Sequence, residues 1–229
     1  MREAVVVAWS GGKDSALALA RLRDDPGIEV VGLITTVSRE FDRISIHGVR
    51  RVLLHRQAAA LGLPVVEAEL SPRATNADYE AAFAGAVAAW RARVPSLRRI
   101  AFGDLYLSDI RAYREAQLAR LGLEAVFPLW GAATDRLARA MLGEGYRPVV
   151  VCVDTNRLPA RLVGADFDLE FLDALPATVD PCGENGEFHT FVAQGPIFRT
   201  PVYIRRGAVV ERDGFAYADL LPAEPEPIP

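Results

Sequence analysis

Between residues 4 and 153, six short apolar runs alternate with stretches of helical periodicity. The runs cover residues 4–9, 28–37, 65–70, 97–102, 125–130 and 147–153. Most are rich in valine, isoleucine and leucine, which is the composition of buried strands. The helical stretches between them are residues 15–23, 49–61, 77–91, 109–121 and 134–142. Glycine and proline punctuate them, as at Pro26-Gly27, Gly62 with Pro64, and Gly143 with Gly145. A helix between successive strands carries the chain back to the same end of the sheet. The pattern therefore predicts an α/β fold with a doubly wound, mostly parallel, Rossmann-like sheet. Residues 38–47 are polar and irregular and read as a loop at the sheet's edge.

After Asp154 the texture changes. Turn residues become dense (Pro176, Pro181, Gly183, Gly186, Gly195, Pro196, Pro201, Gly207, Gly214), and the apolar runs shorten to residues 188–192, 201–204 and 208–210. This predicts a smaller C-terminal α+β subdomain with antiparallel strands. The expected division is an α/β unit at residues 1–130, a C-terminal subdomain at 131–221, and a disordered tail at 222–229, where Pro and Glu alternate.

The bulk properties exclude several classes. With 26 Lys+Arg against 30 Asp+Glu, the net charge of -4 argues against broad electrostatic binding of nucleic acid. The two cysteines, Cys152 and Cys182, form no CxxC pair, which argues against a zinc site or a disulfide framework. No apolar run reaches membrane-spanning length, and residues 4–9 are too short for a signal peptide. The expectation is a cytoplasmic protein.

The first apolar run delivers the chain into Ser10-Gly11-Gly12-Lys13-Asp14-Ser15, and a helical stretch follows at once. Two adjacent glycines allow close approach, and the helix start offers N–H groups and the positive end of its dipole, so the loop suits a phosphate. Lys13 is the only lysine among 26 basic residues. A compact ammonium can follow a phosphate as it moves, whereas a guanidinium fork fits a fixed geometry. Ser10 and Ser15 can donate from either side. The spacing is too short for a Walker A loop, and GxGxxG is absent. A tight strand–helix turn with a cap is the plain alternative.

This loop, directly after a first strand, resembles the PP-loop of the N-type ATP pyrophosphatases. The resemblance implies an adenine nucleotide alpha hydrolase-like fold and ATP bound by its pyrophosphate end. It also implies chemistry in which AMP is joined to an oxygen of the substrate and pyrophosphate leaves. Gly103-Asp104, Ser108-Asp109-Ile110-Arg111, residues 125–130 and the late motif Asp180-Pro181-Cys182-Gly183-Glu184-Asn185-Gly186-Glu187-Phe188-His189-Thr190 narrow it. Together they resemble the diphthine–ammonia ligase, or diphthamide synthase domain, family. That motif is usually Glu-Gly-Gly-Glu-(Tyr/Phe)-Glu-Thr in the family. Here Asn185 stands for the first glycine and His189 for the second-last acid.

Each remaining candidate carries two readings. Asp104, at a predicted strand end, either holds Mg²⁺ or caps a turn. Asp14 either orients the loop near metal and phosphate or is a first-turn acid. Thr35 either contacts adenosine or fills a strand. His47, beside Gly48, either binds substrate or is structural. Glu184, Asn185, Glu187, His189 and Thr190 either orient an amine and take its proton or form a polar hairpin. Cys182 reads as a buried, inert thiol.

The leading expectation is an enzyme using ATP and Mg²⁺. Ser10, Gly11, Gly12, Lys13, Asp14, Ser15, Thr35, Gly103 and Asp104 would bind the nucleotide. Lys13, Glu184, Glu187 and His189 would be catalytic, and His47, Asn185 and Thr190 would contact the substrate. A carboxylate, on a protein side chain or a small molecule, would be adenylated and then amidated by ammonia or another amine. A homodimer is one possible assembly. From a different class, a non-catalytic ATP or AMP sensor would keep the loop without needing the acids near Glu184.

Overall fold

The computed structural model describes residues 2–71 and 73–225. The first sheet begins with β1 (Glu3–Ala8), β2 (Ile28–Ser38) and the short β3 (Arg43–Ile44), and it is completed by β4 (Val65–Leu70), β5 (Arg99–Ala101) and β6 (Glu124–Val126). β1 pairs with β2 and β5, β2 with β4, and β5 with β6, all in parallel. The parallel strands therefore lie in the order β4-β2-β1-β5-β6. The chain runs outward from β1 to one edge, returns, and runs outward to the other. That order is doubly wound and Rossmann-like, and its switch point lies between β1 and β5. Ligands in such sheets bind beyond the carboxyl ends of the strands at this point.

The side-chain period of β1 separates the two faces. Val5 and Val7 pack with α1 (Lys13–Asp24) and α2 (Arg51–Leu61). Val6 faces the other way, towards Phe83 and Trp90 of α3 (Asn76–Arg93) and Leu118 of α4 (Ser108–Arg120). Thr75 caps α3 through a capping box with Asp78. Asp109 sits in the first turn of α4, where a carboxylate suits the helix dipole.

The sixth apolar run is a strand but not a member of this sheet. β7 (Arg147–Asp154) follows α5 (Thr134–Gly143) and pairs antiparallel with β8 (Phe188–Gln194) and β10 (Phe215–Pro222). β10 pairs antiparallel with β9 (Ile204–Arg212), giving the order β8-β7-β10-β9. α6 (Leu169–Asp173) lies between β7 and β8 in sequence. Val149, Val150, Val151, Val153, Phe188, Phe191 and Val192 share one core with Leu17 and Leu53, so the second sheet closes over the α1/α2 face of the first.

Residues 38–47 contain β3, which pairs with the last two residues of β2 beyond the end of β1. Part of the expected tail is also structured. Pro222 ends β10, and Arg56 bonds the Ala223 carbonyl and the Glu224 carboxylate. Residues 226–229 lie outside the described residues. Among the described residues, no helix is long and apolar enough to cross a membrane.

Candidate active site

The glycine loop lies at the switch point. β1 ends at Ala8, Gly11 takes φ +79, and Gly12 opens α1 without a side-chain cap. The first-turn N–H groups of a helix have no intrahelical partner. Here the Lys13 N–H donates to Thr190 Oγ1 at 3.1 Å, and the Gly12 N–H reaches Ser10 Oγ at 3.3 Å. Ser15 Oγ donates to the Gly12 carbonyl at 2.9 Å and lies 3.3 Å from Ser10 Oγ, so the two hydroxyls meet inside the loop.

Gln57 clamps the loop to the second sheet. It is fully buried in α2 and donates to the carbonyls of Gly11 at 3.0 Å and Val192 at 2.9 Å. Its Oε1 accepts from Trp9 Nε1 at 2.9 Å, while the Val192 N–H also bonds the Gly11 carbonyl. Sequence reading missed this residue; its signal was a single polar side chain in the otherwise apolar face of α2. Gln57→Leu strands the buried Trp9 N–H and Val192 carbonyl. It is expected to cost about 2–4 kcal/mol in a denaturant titration. It should also loosen the glycine loop, read as faster amide exchange at Lys13.

Lys13 is 2% exposed. Its ammonium pairs with Asp14 Oδ2 at 2.8 Å, donates to the Cys182 carbonyl, and lies 5.4 Å from the ring centre of Phe188. Burial opposes its charge, but the Asp14 carboxylate outweighs that with help from further acids, so its pKa lies above the ordinary lysine value. Lys13 therefore ties the loop to the late motif from beneath.

Three carboxyls converge above it. Asp14 Oδ1 and Asp104 Oδ2 are buried and make no hydrogen bond among the described residues. Burial raises both pKa values, against Lys13 in one case and Arg114 in the other. Glu184 Oε1 accepts from the backbone N–H of Leu105 at 2.7 Å and Tyr106 at 3.3 Å. Burial pushes the Glu184 carboxyl up to about 7, the Leu105 N–H holds it down, and Asp14 and Asp104 add repulsion.

His47 and His189 pack against each other with ring centres 4.5 Å apart and planes tilted by 38°. Burial drives both pKa values down, His189 to about 4, and Lys13 repels a further proton, so both rings are neutral near pH 7. His47 Nδ1 is buried without a hydrogen bond among the described residues.

These groups line one cleft of ≈ 300 Å³. Ser10, Gly12, Lys13, Asp14, Ser15, Thr35, His47, Gly103, Asp104, Glu184, His189 and Thr190 all border it, while Gly11 lies behind the loop against Gln57. Thr35 donates to the Trp9 carbonyl at 2.8 Å. Asn185 and Glu187 are absent from the cleft wall. Glu187 is 0% exposed; its carboxylate accepts from Asn185 N and Nδ2 at 3.0 Å and Asp180 N at 3.2 Å. It braces the turn that aims Glu184 and His189. Glu187 is thus enclosed behind the cleft wall, whereas Asn185 lies exposed outside it.

Cys182 is buried and its pKa rises to about 12, as burial demands of an inert thiol. Arg114 was also missed. It borders the cleft beside Phe102 and Asp104 and bonds Tyr79 Oη at 3.0 Å.

Among the described residues no cluster of three or more His, Cys, Asp or Glu could hold a metal alone. Mg²⁺ at phosphate sites takes one or two carboxylates and completes its shell with phosphate oxygens and water. Asp14 Oδ1 and Asp104 Oδ2 make no hydrogen bond among the described residues, although Arg114 Nε approaches the latter to 3.7 Å, and they fit that requirement.

Two family models match the chain. The diphthamide synthase N-terminal domain covers residues 1–125, and the diphthamide synthase C-terminal domain covers residues 133–216. A diphthine–ammonia ligase of Schizosaccharomyces pombe is 24% identical over 220 residues. The match takes in 88% of this chain but 36% of that relative, so the chain spans little more than a third of its length.

Proposed function

We propose that this chain, which belongs to the diphthamide synthase family, is an AMP-forming ligase that makes an amide from a carboxylate and ammonia. One observation carries the reading. The glycine loop, the buried oxygens Asp14 Oδ1 and Asp104 Oδ2, which make no hydrogen bond among the described residues, and the Glu184 carboxyl share one cleft at the switch point of the sheet. The named activity of the S. pombe relative supports it.

The loop N–H groups and the dipole of α1 favour the phosphates of ATP. Asp14 and Asp104 would hold Mg²⁺, which supplies charge neutralisation at the phosphate oxygens when bound. Lys13 keeps the loop and the Cys182 segment together and places positive charge beside the pyrophosphate that leaves. The acceptor carboxylate oxygen attacks the α-phosphorus as the bond to pyrophosphate breaks. Ammonia then attacks the activated carbonyl carbon, the bond to the AMP oxygen breaks, and the nitrogen releases a proton. Glu184 is the base for that proton. The neutral His47–His189 pair accepts a hydrogen bond from the amine and does not attract the unreactive ammonium ion.

A pH profile tests the base. Glu184 must be ionised to accept a proton, so kcat/KM, expressed per free ammonia, should rise with pH through about 7 and then level. Glu184→Gln should remove that limb and lower the plateau about a hundredfold. Stability supplies a second readout. The folded chain keeps the Glu184 proton to about pH 7, whereas the carboxyl's ordinary value is 4.5. Its contribution is therefore greatest below the lower value and is lost as pH rises through that window. Glu184→Gln should remove this loss. An unchanged profile in the variant would reject Glu184 as the base.

A further inference from the structure

A second cavity of ≈ 250 Å³ lies behind the cleft, between the turn after β2 and the β9–β10 hairpin. Its walls are mostly apolar, with Phe41, Ile44, Val210 and Tyr217 among them. Ile44, Ser45 and Ile46 border both spaces, so the turn at residues 45–48 is the partition between them.

That partition is strained. Ile46 takes φ +69 while the His47 N–H bonds the Ser45 carbonyl at 2.8 Å, which makes a γ-turn of the unfavourable hand. A β-branched residue at positive φ is an outlier, and such strain gathers where a surface is held for a ligand. The turn aims His47 into the cleft and leaves Ile46 71% exposed. Ser45 Oγ is buried with no hydrogen bond among the described residues, so the partition carries an unused polar group.

The charge around the cavity is asymmetric. Arg43 and Arg50 share the single carboxylate of Asp219. Arg212 lies 4.6 Å from the ring centre of Phe41 and 5.8 Å from that of Tyr217, with Asp213 as its ion-pair partner at 3.5 Å. The guanidinium lies over the rings and, with one exposed carboxylate beside it, keeps donors for an anion.

We propose that this cavity anchors the acceptor: an apolar or aromatic body that carries an anionic group for Arg212 and whose reacting carboxylate extends past Ser45 into the cleft. Naming the occupant as the acceptor rests on the ligase reading. The preference for an apolar anion rests on the cavity alone.

The test uses 1-anilinonaphthalene-8-sulfonate as the apolar anion and N-phenyl-1-naphthylamine as its neutral counterpart, both followed by fluorescence on the full chain. Val210 is half-exposed on an edge strand, so Val210→Trp should fill the cavity without unfolding the sheet. It should weaken both probes at least about tenfold. Arg212→Ala should weaken only the anion, by about tenfold. Neither should change ATP affinity. Anion binding unaltered in both variants would overturn the cavity as the site. A carboxylate that supports AMP formation yet fails to displace the anion would overturn the acceptor assignment while leaving the ligase reading intact. Failure of every carboxylate to yield AMP, with both variants acting on the probes as expected, would remove the ligase reading and with it the acceptor assignment. Displacement by a free acid identifies a small-molecule acceptor; displacement only by a protein bearing the carboxylate identifies a side chain.

Discussion

Lys13→Arg is expected to lower AMP formation at least about a hundredfold although the charge is kept. The ammonium fits between Asp14 Oδ2 at 2.8 Å and the Cys182 carbonyl, under the Phe188 ring. A guanidinium is larger and planar, and the buried position offers no space for it. Overpacking of this kind costs about 1–3 kcal/mol and would push the Cys182 turn away from the loop. Lys13→Met separates shape from charge. It leaves the partly buried Asp14 beside Asp104 and Glu184 without its cation, and removing one partner of a pair costs up to about 3–5 kcal/mol when both are fully buried. The melting temperature should therefore fall further for methionine than for arginine, while both lose activity. Full activity in Lys13→Arg would show that the ammonium is not a shape-specific part of the site.

Gly103→Ala should be the next most damaging single change, with an expected loss of ATP affinity of about tenfold or more. A Cβ there would lie 2.8 Å from the Asp14 carbonyl carbon and 3.0 Å from the Asp14 oxygen and Ser15 nitrogen. These are backbone atoms of the first turn of α1, so no side chain can swing aside. The helix start must move, and its N–H groups with it. Isothermal titration with ATP measures the loss, and circular dichroism checks that the fold survives. Retained affinity would mean that the first turn of α1 does not bind the nucleotide.

The loop was readable because six consecutive residues carry it and the strand before and helix after it are strongly patterned. Gly103-Asp104 was readable for a similar reason, since a strand ends immediately before it. The late motif was readable only in part. Glu184, Glu187 and His189 are close in sequence, yet the turn sends Glu184 and His189 into the cleft and Glu187 into the protein. Residue type does not reveal which way each side chain of an irregular turn points. β7 shows the same limit at the level of the fold. Its apolar run signals burial, but the direction of its partners comes from strands that follow it in the chain. Gln57 and Arg114 were missed because a polar residue in a helix acquires a role only when a distant segment, here Val192 or Asp104, is folded against it.

The most direct test is the identity of the nucleotide product. The protein is incubated with ATP, Mg²⁺, ammonia and a panel of carboxylates, both free acids and protein-borne side chains, and nucleotides are separated by chromatography. The account predicts AMP and pyrophosphate, formed in step with amide and dependent on ammonia. ADP and inorganic phosphate as products, or tight ATP binding with no turnover on any carboxylate, would contradict it.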